Sequence, residues 1–183
     1  MSIATHIKTS LNLPSFVVPT YLQDLSDEQL LIRPHEGANH IAWQLGHLIV
    51  AEHSLNNMVC PDSMPPLPDG FTEKHEKETA SSDAPGDFCT KDEYLRLLEE
   101  QRAATLALLD KLSDEELEKP APEKIQQFGS AVGAVIGGQL AHWKMHAGQW
   151  VIVRRQLGKE RSSGQSAHPG SHTRHRSGGR HKV

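Results

Sequence analysis

The segment from Ser130 to Gly158, SAVGAVIGGQLAHWKMHAGQWVIVRRQLG, decides the fold class. Val132, Val135, Ile136, Leu140, Trp143, Val151 and Ile152 recur at three- and four-residue steps, the period of an α-helix. Gly158 supplies a stop, and Arg154 and Arg155 in the last turn suit the negative end of the helix dipole. Gly133, Gly137, Gly138 and Gly148 each lower helix propensity by up to ~1 kcal/mol. Such a helix must be held by its neighbours, and its small residues let them come close. His142 and His146 stand ~40° apart around the axis and one turn apart along it, so two imidazoles can reach one ion. Gln139 and Gln149 fall within about 60° of His142 and extend the stripe. A histidine pair at this spacing is more often a solvated face. On a glycine-rich helix whose other sides are apolar or small, a site gains weight.

The same period recurs upstream. A first long helix covers roughly 3–25, with Pro14 and Pro19 predicting a kink or a late start. Ser26 and Gln29 form a capping box that opens a short helix ending before Pro34. A second long helix starts near Asn39, taken as its N-cap, and runs to about Val59. Thr90 with Glu93 and Ser113 with Glu116 are two further capping boxes. They open a third long helix to about Leu112 and another short one that stops at Pro120. Residues 60–89 carry five prolines and form a connection longer than most, hence functional or mobile. Alternating β-branched runs are scarce, so the chain reads as all-α.

Composition narrows the function. The 183 residues are 37% hydrophobic and 23% charged, enough for one core in residues 1–158. The net charge of −4 hides an asymmetry. Residues 159–183 hold Lys159, Arg161, Arg174, Arg176, Arg180 and Lys182 against Glu160 alone, with His168, His172, His175 and His181 among Ser and Gly. This stretch reads as a disordered basic tail. The remaining body is acidic, which argues against nucleic-acid binding except weakly through the tail. No apolar run reaches a membrane span and no signal peptide is apparent. Two cysteines make no scaffold, so a reducing cytoplasm is the default. Cys60 and Cys89 flank the long connection and would lie near each other if the helices beside it were antiparallel.

His47, mid-helix in Trp43-Gln44-Leu45-Gly46-His47-Leu48, is the natural third ligand. Taken alone, it reads as a core histidine bonded to a carbonyl. With the His142/His146 pair it makes up a candidate three-histidine site, which would leave a fourth position for water, as in catalytic zinc sites. Nickel also accepts imidazoles, so zinc and nickel both fit. Gly46 would let a neighbouring helix approach the site. Glu52 lies on the Ile41/Leu48 stripe, either backing a ligand histidine or pairing with a basic residue, the second being the blander choice. Gln149 is a candidate for a supporting role. His40 belongs near its helix start, His53 is a surface or packing residue, and His6, His35 and His75 read as surface.

These residues together, Asn39-His40-Ile41-Ala42-Trp43-Gln44-Leu45-Gly46-His47-Leu48, then His142-Trp-Lys-Met-His146-Ala-Gly-Gln149 and Arg154-Arg155-Gln-Leu-Gly158, resemble the DinB/YfiT-like superfamily over residues 3–158. The resemblance implies a four-helix bundle with up-down-down-up connectivity. It implies a divalent metal held by His47, His142 and His146, the same three that the spacing proposes. Separately from the resemblance, the second long helix, apolar on two sides, packs against several neighbours or forms an oligomer interface, and a homodimer is the expected state. The resemblance further implies a metal-dependent enzyme. One form is a low-molecular-weight-thiol S-transferase, in which a metal-activated thiol attacks a small electrophile; the other is a metal-dependent hydrolase. A non-catalytic, stress-related metal-binding protein is the alternative. The prolines of the first helix and the basic tail depart from the family pattern.

Overall fold

The computed structural model describes residues 1–159. The tail expected from 159 onward lies outside the described residues, apart from Lys159, which reaches Asp24. The elements are α1 (Ile3–Leu22), α2 (Asp27–Leu30), α3 (Ile41–Val59), α4 (Lys91–Lys111), α5 (Asp114–Glu118) and α6 (Val132–Gln156). Short 3-10 turns punctuate residues 73–87 and 123–128. Among the described residues the only β pairing is an isolated Pro120–Ala131 bridge, and no helix is long and apolar enough to cross a membrane.

Side-chain contacts fix the direction of each long helix. Ile3 packs near Gly133 and Ile7 near Gly137, while Arg154 donates to the Tyr21 carbonyl, so α1 and α6 run parallel. Glu52 meets Arg102 and Asn56 meets Thr105, so α3 and α4 are parallel too. Trp150 reaches Gln44 and Trp143 reaches Glu52, so α3 and α6 are antiparallel. The order is up-down-down-up. A parallel α3–α4 pair needs a crossover, and residues 60–90 are that crossover, carrying the chain the length of the bundle. This also separates the cysteines. Both are free, and Cys60 and Cys89 pack against different apolar clusters.

The core explains why α1 survives its prolines. Ile7, Leu11, Pro14, Val18 and Leu22 form one buried stripe. Proline in a helix interior costs about 3 kcal/mol, and burying each large aliphatic side chain returns about 2. The Leu11 carbonyl accepts from Ser15 Oγ and from Arg102. The helix therefore runs from Ile3 to Leu22 through both prolines, without the late start that is one of the two outcomes they predict.

Two capping boxes, Ser26/Gln29 and Ser113/Glu116, form both of their bonds. At α4 only half the box is made: Thr90 accepts from the Glu93 N–H. The cap of α3 is His40 rather than Asn39. Its Nδ1 accepts from the Trp43 N–H, so its proton sits on Nε2, which donates to the Ser82 carbonyl.

Candidate metal centre

α3 and α6 cross where His47 faces His142 and His146. One ring nitrogen from each lies within 4.8 Å of the others. His47 Nε2 and His142 Nε2 are 3.2 Å apart. Two nitrogens on a tetrahedral ion, each ~2.0–2.1 Å from it, would be about 3.3 Å apart. All three rings are partly buried. His146 Nδ1 is buried with no hydrogen-bond partner, which is costly in a finished core.

Burial keeps the three rings neutral. It lowers His47, and it pushes His142 and His146 down to about 4, helped by repulsion from the neighbouring histidines. A neutral imidazole offers the lone pair that a metal needs. The converging nitrogens and their neutrality fit a divalent cation, for which zinc and nickel are the candidates by ligand type.

Neighbouring side chains set the rings. The Trp43 indole stacks on His47, with ring centroids 4.9 Å apart and planes 9° from parallel. Trp43 is anchored by the crossover, donating from Nε1 to the Glu76 carbonyl and Thr79 Oγ1. The crossover is thus fastened to the site rather than loose beside it.

Glu52 takes the blander of its two alternatives. It pairs with Arg102 at 2.8–2.9 Å, both fully buried, and also accepts from Thr105 Oγ1 and the Trp143 indole. Every donor on it comes from α4 or α6, and no histidine is among them. Gln149 lies three residues beyond His146 on α6, where its Oε1 accepts from Gln44. Gln139 is buried on the same helix with Oε1 unpartnered.

The histidine assigned least correctly by sequence is His75. Expected at the surface, it is 3% exposed. Nδ1 donates to the Phe71 carbonyl and Nε2 accepts from the Tyr94 hydroxyl, both at 2.7 Å. Tyr94 in turn accepts from the Cys89 N–H. A Cβ on Gly46 would fall inside the His75 ring. The close approach that Gly46 signals is real, but the visitor is an imidazole from the crossover, not a helix. Nothing local to His75 marks it as buried; the glycine next to His47 was the available signal. His40 is also buried, His6 and His35 are exposed, and His53 is partly buried between Gln101 and Asn57. Burial and Glu93 push the thiol of Cys89 up to about 11, the opposite of the lowered pKa that activates a cysteine.

A family model described as the DinB superfamily matches residues 17–150. No curated protein matches the sequence. Among solved structures, the chain resembles YfiT from Bacillus subtilis, described as "a probable metal-dependent hydrolase with an unusual four-helix bundle topology". The TM-score is 0.59 at 16% identity, with 86% of this chain and 89% of that one covered. At that identity the likeness establishes the fold.

Proposed function

The chain belongs to the DinB superfamily, and from that premise we propose that it is a divalent-metal-dependent enzyme acting on a small electrophile. The observation that carries this is the His47–His142–His146 convergence, partly buried and built from neutral imidazoles alone. Three protein ligands, where a structural site takes four, leave a coordination position for another molecule. A divalent cation there supplies Lewis acidity, lowering the pKa of water or of a low-molecular-weight thiol. The chain's own residues do the rest. Trp43 holds the His47 ring in plane, and burial keeps protons off all three ligands. The Glu52–Arg102 pair and the Trp143 indole lock α3, α4 and α6 in register behind the site.

In this reading the attacking group is a molecule brought to the site rather than a side chain. Cys89 is held as a thiol, and Cys60 packs against the other cluster. Water makes the protein a hydrolase, and a small thiol makes it an S-transferase. Thiol transfer to an electrophile remains the finer reading, supported by the family resemblance, and hydrolysis is what the relative's description favours for that relative. The partial exposure of the histidines favours either over a closed, non-catalytic site.

The test is a panel of activated esters and alkylating electrophiles, with and without added thiol, on zinc- and nickel-loaded protein. Turnover that requires thiol and disappears in His146→Ala supports S-transfer. Turnover without thiol that disappears in the same variant supports hydrolysis. A loaded protein inert across the panel would leave the non-catalytic alternative.

A further inference from the structure

We propose that Gln149 is a positioning residue: its Nε2 donates a hydrogen bond to an oxygen of whatever occupies the position left open by the three histidines. This rests on the metal reading above and adds to it a preference for oxygen-bearing ligands, such as acyl compounds.

The inference starts from a group with no freedom. An indole N–H can only donate. Trp150 Nε1 donates to Gln44 Oε1 at 2.8 Å, which fixes the orientation of the Gln44 carboxamide. Gln44 Nε2 must then face its two remaining neighbours, the Asn39 carbonyl at 2.5 Å and Gln149 Oε1 at 2.9 Å. Gln149 is thereby obliged to present its oxygen to Gln44 and its N–H pair elsewhere. No oxygen of the described residues accepts from that pair.

The place of the amide completes the case. Gln44 lies three residues before His47 and Gln149 three after His146. In antiparallel helices both steps run the same way, ~4.5 Å along the axis, so the amide pair stands one turn from the histidines. Gln149 is partly buried, as they are. A donor held in place by Gln44 is worth more than a freely rotating one, because it does not have to reorient on binding. The Trp150–Gln44–Gln149 relay spans both helices that carry the ligands, so it also keeps the donor in register with them.

The experiment uses Co2+ and acetohydroxamate, a metal ligand with two oxygens, on the full-length chain. Co2+ absorption is read as the difference from His142→Ala, which removes any contribution from histidines elsewhere. Gln149→Leu and Gln149→Glu are compared with the parent. Glu keeps an oxygen for Gln44 while removing the donor. Both variants should hold Co2+ within about threefold of the parent, and both should bind acetohydroxamate about tenfold more weakly. Cyanide, which coordinates through carbon, should bind the parent and Gln149→Leu alike. Equal acetohydroxamate affinity in parent and Gln149→Leu would overturn the proposal. So would a parallel loss of Co2+, which would make Gln149 a support for the histidines. A parent indistinguishable from His142→Ala in Co2+ uptake would overturn the metal reading, and this proposal with it.

Discussion

Two groups of histidines meet at Gly46, and they differ in a way that separates structure from site. His40 and His75 fasten the crossover to α3 and α4, and each has both ring nitrogens bonded to the protein. His47, His142 and His146 are also shielded from water, yet their nitrogens face one another, and one nitrogen of His146 has no partner. Burial lowers the pKa of both groups. What distinguishes them is satisfaction. A buried imidazole with two partners is finished, whereas three imidazoles converging on one point require something the chain does not supply.

The sharpest way to break this contrast is to count metal. Full-length His142→Ala should carry about one ion per chain fewer than the parent by elemental analysis, and His75→Ala should carry the same number as the parent. An equal loss in both would erase the distinction.

Acid should act on both groups in metal-free protein. The lowered pKa values mean that the unfolded chain binds more protons between pH 6.5 and about 4. Stability is therefore full above pH 6.5 and falls as pH drops through that window. His75 alone accounts for up to about 3 kcal/mol. Urea midpoints measured at pH 7 and pH 4.5 would show the loss. His75→Gln, which cannot titrate, should flatten the curve, and added metal should steepen it because the ion needs the other three rings unprotonated.

Gly46→Ala strikes the point of contact between the groups. The added methyl must displace the His75 ring, costing about 1–3 kcal/mol in urea unfolding. If the two groups are independent, metal affinity changes little. A parallel loss of affinity would show that the crossover tunes the site. The smallest effect is expected for Trp43→Phe, which keeps a ring to stack on His47 and loses the N–H to the Glu76 carbonyl. About 1 kcal/mol of stability should go, with a loss of metal affinity of no more than a few-fold.

Much of this was legible in the chain. Periodicity placed the four long helices, and the capping residues placed the starts of the short ones within a residue. The His142/His146 step and His47 in its apolar surroundings named the three residues that the fold brings together. Local rules failed where a distant group supplied the missing partner. Pro14 and Pro19 did not break α1, because the stripe of side chains that it buries outweighs their cost. His40 took the cap expected of Asn39, because the Ser82 carbonyl, forty-two residues on, holds its other nitrogen.

The sequence by itself determined the class of fold and the His142/His146 pair, since both follow from spacing along single helices, which 3.6 residues per turn makes local, and it offered His47 as the third candidate from its apolar surroundings. Tertiary structure alone decided which histidines are satisfied, which glutamine amide has donors to spare, and that Glu52 belongs to Arg102. Those questions depend on partners as far as 106 residues away. A hydrogen bond needs its atoms within about 3 Å, and only the folded chain sets that distance.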